Sequence, residues 1–123
     1  MIVIDPESHT PPFEQLRSGL VDAVTTGELA PGQRLPTVRR LAEDLGIAAG
    51  TVARAYRELE ASGVIETHGR NGTFVALTGD PTHQQAQHAA AVFADQIRAL
   101  GIDGDEAVAL VAAALRGGEV ATA

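Results

Sequence analysis

The stretch Thr37-Val38-Arg39-Arg40-Leu41-Ala42-Glu43-Asp44-Leu45-Gly46-Ile47-Ala48-Ala49-Gly50-Thr51-Val52-Ala53-Arg54-Ala55-Tyr56-Arg57-Glu58-Leu59 decides the fold. Val38, Leu41, Ala42 and Leu45 recur at the i, i+3, i+4, i+7 spacing of a buried helical stripe, and Thr37 ahead of them is a candidate N-cap. Val52, Ala55, Tyr56 and Leu59 repeat the pattern in a second run, which predicts a helix from about Ala49 to Ser62. Between the runs, Gly46 ends the first helix and Ile47 supplies an apolar plug beneath the turn. Two short helices that cross steeply need a small residue at the crossing, a glycine in the turn and apolar side chains pinning both inner faces. This segment supplies them in order, so it reads as a helix-turn-helix.

Outward from it, the surroundings complete a winged domain. Downstream, after Gly63, Val64 to His68 and Gly72 to Val75 are β-branched-rich runs separated by Gly69-Arg70-Asn71, the composition of a hairpin. Upstream, Phe13, Leu16, Leu20, Val21 and Val24 predict a helix from Phe13 to about Thr26, with Pro12 suited to its first turn and Gly27 at its end. Met1 to Pro12 reads as an extended arm, Leu29-Ala30-Pro31-Gly32 as a turn and Arg34-Leu35-Pro36 as a brief extended segment. The expected fold is mainly α with a small β wing: a winged helix-turn-helix over residues 1–77.

A linker, Thr78-Gly79-Asp80-Pro81, leads to a second region over residues 82–117. Ala86, Ala89, Ala90, Phe93, Ile97 and Leu100 mark a fourth helix ended by Gly101. A fifth starts where Asp103 and Glu106 have capping-box spacing and continues through Val108, Val111 and Leu115 to Gly117-Gly118; the last three residues are expected to fray. The stripe on the fourth helix is narrow and Ala-rich, closer to a helix-packing seam than to a thick core. All nine of these apolar positions are therefore expected at a homodimer interface. The alternative is that the two helices fold back onto their own winged domain.

Composition bounds what such a chain can do. Its 123 residues, 45% apolar, suffice for one domain or a small domain with an appendage and exclude a multidomain enzyme. The absence of cysteine excludes thiol catalysis, iron–sulfur ligation and a disulfide framework. There is no Gly-rich phosphate loop and no Ser/His/Asp grouping, so neither enzymatic activity nor a cofactor is expected. His83 and His88 are five residues apart and off one helical face, so no metal site is expected. The N-terminus has no basic region followed by an apolar one, and no apolar run approaches the roughly 18 residues of a membrane span, so the expectation is a soluble, cytoplasmic protein without membrane contact.

The net charge of -7 argues against a nucleic-acid partner if it is taken as one number. It is, however, segregated. All nine basic residues are arginine, and six of them, Arg34, Arg39, Arg40, Arg54, Arg57 and Arg70, fall between positions 34 and 70 against five acids. That window is at +1 and the remainder at -8.

The outer face of the second helix of the motif carries Gly50, Arg54 and Arg57, flanked by Thr51, Ala53 and Glu58. Arginine pairs bidentately with guanine O6 and N7, threonine reaches a phosphate or a thymine methyl, and small residues allow close approach. Thr37, Arg39 and Arg40 open the preceding helix, where Arg40 has Glu43 and Asp44 as competing partners. His68, Gly69, Arg70 and Asn71 at the hairpin tip are candidates for a minor groove or its phosphates. Tyr56 is expected in the core, with a phosphate contact through its hydroxyl as the alternative.

Pro12-Phe13-Glu14-Gln15-Leu16, the run from Gly27 to Arg39, Leu41-Ala42 through Glu60 and Gly69-Arg70-Asn71-Gly72-Thr73-Phe74-Val75 closely resemble the GntR family of bacterial transcription regulators. The resemblance covers about residues 2 to 76. It implies that Arg39, the residues around Thr51 and Arg54, and the wing residues His68, Gly69 and Arg70 lie on DNA. Where many members carry Arg or Asn at the start of the recognition helix, this chain has Ala48-Ala49-Gly50. The short two-helix tail is similar to that of the YtrA subfamily, in which the tail mediates dimerisation. The function implied is a homodimeric repressor on an inverted-repeat, double-stranded DNA operator, released by a small-molecule effector that the sequence does not identify. A winged helix used only for protein contacts is the alternative, and the acidic surface would suit it.

Overall fold

The threonine ahead of Val38 caps a helix, as its side chain allows. In the computed structural model, which describes residues 2–122 and the side chains of residues 2–117, the Thr37 hydroxyl accepts from the backbone N–H of Arg40 at 3.1 Å and opens α2 (Val38–Leu45). Gly46 then turns the chain with φ +68°. Its N–H reaches the Glu43 carbonyl at 3.3 Å, while the N–H of Ile47 reaches that of Ala42 at 3.1 Å. This paired closure satisfies the Ala42 and Glu43 carbonyls of α2 and brings Ile47 down onto the core. Ala48, extended, leads into α3 (Ala49–Ala61) without a side-chain cap.

α1 (Pro12–Thr26) and α2 both pack against α3, whose Val52, Ala55 and Leu59 are completely buried. Leu16, Leu20, Leu35, Ala42, Tyr56, Ile65 and Val75 complete one core. Among the described residues, no buried side-chain polar atom lacks a partner. The N-terminal arm is tied down rather than loose: the Gln15 side-chain amide bonds both the N–H and the carbonyl of Asp5 and the carbonyl of Thr10. Gly19 lets Ile2 lie against α1, since a Cβ there would sit 3.2 Å from Ile2 Cγ1.

The hairpin pairs β1 (Ile65–Thr67) antiparallel to β2 (Thr73–Val75), with Ile65 opposite Val75, Glu66 opposite Phe74 and Thr67 opposite Thr73. Its tip, Gly69–Asn71, is one turn of 3-10 helix. The segment expected to be merely extended also pairs with β2: Leu35 N–H to the Thr73 carbonyl at 2.8 Å, and Gly32 N–H to the Val75 carbonyl at 2.8 Å. Val75 N–H returns to the Gln33 carbonyl at 2.9 Å. Period-two alternation then sends Leu35 into the core and leaves Arg34 exposed.

The contacts divide the chain into Met1–His88 and Ala89–Ala123, a boundary inside α4 (Pro81–Leu100). Asp80, read from the sequence as linker, caps α4: its carboxylate accepts from the His83 N–H at 2.8 Å. Further along α4, the Gln87 side chain accepts from the Thr78 N–H and donates to its hydroxyl. In the second unit, Ile97 of α4 and Ala107 of α5 (Gly104–Thr122) are buried within the chain. They lie along a cleft of about 500 Å³ lined also by Phe93, Ile102, Val108 and Val111. At the start of α5, the Asp103 carboxylate accepts from the Asp105 N–H at 3.1 Å.

α5 corrects one expectation. Gly117-Gly118 does not end it. Glycine stops a helix by adopting positive φ, and Gly117 does not, so the helix runs on to Thr122. The expected fraying of the last three residues falls on side chains outside the described set. No helix among the described residues is long and apolar enough to cross a membrane.

Candidate nucleic-acid interface

The core stripe of α3 dictates what its other face offers. With Val52, Ala55, Tyr56 and Leu59 turned inward, Gly50, Arg54 and Arg57 are exposed and Thr51 is half-buried. No atom lies within 4 Å of where a Gly50 Cβ would stand, so this part of the helix is open to close approach. α3 also begins without a side-chain acceptor for its first amides; Thr51 N–H donates to the Ala48 carbonyl at 3.0 Å, and those of Ala49 and Gly50 are the ones open to an anion.

Three of the nine arginines have an acidic partner and six have none among the described residues. Arg17, Arg40 and Arg98 pair with Glu14, Asp44 and Asp95 along their own helices. Arg40 is thus held by Asp44 at 3.2 Å, the competing partner open to it from the sequence. Arg39, Arg57 and Arg70 are exposed and have no ion pair among the described residues. With no carboxylate holding them, their guanidinium groups are open to a phosphate or a base edge.

Arg54 has an unforeseen neighbour. Its guanidinium carbon lies 3.6 Å from the centroid of the Phe13 ring. Phe13, read from the sequence as one more apolar residue of the first helix, is half-buried at the start of α1. Next to it, the hydrogen bond from Arg17 holds the Glu14 carboxyl below its ordinary range, and the nearby charge of Arg54 adds a smaller pull the same way. No sequence rule pairs residues 13 and 54, because the contact is made by the packing of α1 on α3.

The wing carries a second cluster. His68 Nε2 is 3.1 Å from Glu66 Oε2, and the imidazole lies 5.0 Å from the Phe74 ring. Arg34 covers the same phenylalanine, 5.8 Å from its centroid, and its guanidinium would be 3.0 Å from a Cβ at Gly72. From the sequence Arg34 belongs to the charge window and to the extended segment Arg34-Leu35-Pro36, with no aromatic partner assigned. Alternation along Gly72-Thr73-Phe74-Val75 was the available signal, since with Val75 inward an adjacent phenylalanine faces out. Gly69 opens the tip with φ +56°, and Asn71 donates its backbone N–H to the His68 carbonyl at 3.0 Å. Thr37, a candidate contact from the sequence, has its hydroxyl engaged as acceptor in the cap of α2.

The expected tail interface is spread over several environments. Ala86, Ala89, Ala90, Leu100, Val108 and Leu115 are exposed, Phe93 and Val111 are half-buried, and Ile97 is consumed within the chain. No group of three or more His, Asp or Glu that could hold a metal occurs among the described residues.

Three helices on one core, a short sheet with an arginine-tipped turn, and a third helix whose outer face is small and cationic define a winged helix-turn-helix transcriptional regulator. The chain belongs to the gntR family of bacterial regulatory proteins, whose profile matches residues 12–75. It is 49% identical over 105 residues to the HTH-type transcriptional regulator Rv1152 of Mycobacterium tuberculosis, covering 85% of this chain and 86% of that one. To the HTH-type transcriptional repressor YtrA of Bacillus subtilis it is 40% identical over 82 residues, 67% of this chain and 63% of that protein. Among solved structures, YtrA from Sulfolobus acidocaldarius, a GntR-family transcription factor, superposes with a TM-score of 0.59 at 29% identity, over 94% of this chain and 97% of that one. The AraR DNA-binding domain in complex with operator ORR3 gives 0.53 at 26% identity, over 59% and 88%.

Proposed function

We propose that the chain is a homodimeric repressor that lays α3 in the major groove of each half of an inverted-repeat operator. The observation that carries this reading is the set of exposed arginines without an ion pair on the winged domain: Arg57 on α3, Arg39 on α2 and Arg70 at the wing tip, with Arg54 beside them also making none. Arg54 and Arg57 read base edges; Thr51 and the first amides of α3 take phosphate; Arg39 and Arg70, with His68 and Asn71, fix the head on the backbone. Arg40, neutralised by Asp44, contributes least.

A twofold dimer presents two such heads one turn of DNA apart, which makes the operator palindromic. The exposed Leu100, Val108 and Leu115 supply an apolar surface for pairing of the tails, and the Bacillus subtilis relative YtrA, a transcriptional repressor by name, supports reading the chain as a repressor. A small-molecule effector that favours one arrangement of the two heads releases the promoter.

Gel retardation on an operator duplex tests the assignment. Arg54→Ala costs about 1–3 kcal/mol and relaxes the preference at one base pair per half-site, whereas Arg70→Ala weakens all sequences alike. Wild-type retardation by both variants would remove these residues from the interface.

A further inference from the structure

The chain has three phenylalanines, one tyrosine and no tryptophan, and two of the three phenylalanines lie under arginines. Of the two contacts, that of Arg54 on Phe13 is the closer, at 3.6 Å against 5.8 Å for Arg34 on Phe74. A separation of 3.6 Å puts the guanidinium carbon at stacking distance, well inside the roughly 6 Å over which a cation is drawn to a ring face. Stacking occupies a face of the guanidinium. Its N–H donors lie in the plane and point outward from the edge, the edge that bidentate recognition of guanine uses. Ring contact and base contact are therefore compatible for one side chain.

The surroundings leave that edge available. Glu14, the acid adjacent in sequence to Phe13, is committed to Arg17 by two hydrogen bonds. Arg54 has no hydrogen bond or ion pair of its own among the described residues. A free arginine on a helix surface samples many rotamers, and fixing it on binding costs affinity. On Phe13 that ordering is met in folding.

We propose that Phe13 is a positioning residue for sequence recognition: its ring holds the guanidinium of Arg54 on α3 in the orientation that reads a base edge. This rests on the assignment of Arg54 to the DNA face. It makes the first turn of α1 part of the reading apparatus, although Phe13 need not touch a base. A head whose basic window sums to only +1 gains little from non-specific attraction, so preset geometry in its few arginines weighs more.

The test is a double-variant cycle on the full chain. Affinity is measured by fluorescence anisotropy for the duplex that the wild-type protein selects from a random pool, and for a duplex of scrambled sequence. Phe13→Leu keeps apolar volume at the start of α1, Phe13→Met does so with a flexible chain, and Phe13→Tyr keeps the ring. Thermal melting identifies which variants are folded.

Loss of the ring in Phe13→Leu or Phe13→Met weakens binding to the selected duplex by about three- to tenfold. Scrambled-duplex binding is unchanged, Phe13→Tyr binds like wild type, and neither ring-less substitution has any effect once Arg54→Ala is present. Equal losses with and without Arg54, no loss in a folded ring-less variant, or a loss that Phe13→Tyr shares would overturn the proposal. If Arg54→Ala alone leaves selective binding intact, the DNA-facing assignment fails and the positioning role with it. If Arg54→Ala weakens binding and the ring-less variants do not, only the positioning role fails.

Discussion

Tyr56 shows what one residue does for the head. It lies on the inner stripe of α3, and its hydroxyl donates to the Pro36 carbonyl at 2.8 Å, fixing the entry to α2. Burial pushes its phenol from 10.0 up to about 12. The neutral form is thus favoured in the folded state, and the benefit is complete below pH 10. As pH rises from 10 towards 12 the unfolded chain releases its proton first, so stability falls across that window and then levels off. Urea unfolding of wild type should show this alkaline loss, and Tyr56→Phe should lack it while being about 1 kcal/mol less stable at neutral pH. An equal alkaline loss in both would place the titration elsewhere. At this scale the inner residues were legible because periodicity encodes them. The aromatic partners of Arg54 and Arg34 were not, because they come from other elements.

At the scale of elements, the caps govern how well the sequence could be read. α2 has eight residues, too few to persist without tertiary packing and its two ends. Thr37 and Gly46 declare those ends in the sequence and both perform as expected. Thr37→Ala should therefore cost about 1 kcal/mol in denaturant unfolding, and Thr37→Ser should recover most of it. No loss in Thr37→Ala would show that packing on α3 alone holds the helix. Asp80 was missed because Gly79-Asp80-Pro81 has turn composition, although an acid ahead of a proline at the first helical position is also a helix start. Gly117 misled in the opposite sense. A glycine pair permits a stop but does not impose one when its residues keep helical dihedrals. The pairing of residues 32–35 with β2 was hidden for another reason: a short edge segment has no periodicity of its own.

For the molecule as a whole, the division of charge foreseen in the sequence coincides with a division of roles. The arginines without acidic partners that we assign to DNA all lie within the near-neutral window, while the acidic remainder includes the tail, with its exposed Leu100, Val108 and Leu115. If those side chains form the dimer, sedimentation of a chain ending at Thr78 should give monomers where the full chain gives dimers; a dimer of the shortened chain would move the interface into the winged domain. Two identical heads reading one site require an operator with matching symmetry. Selection of bound duplexes from a random DNA pool by the full-length protein tests this most directly. The expected outcome is a single motif of two half-sites in inverted repeat, with centres one helical turn apart. Recovery of an unpaired half-site, of direct repeats, or of no enriched sequence would contradict it.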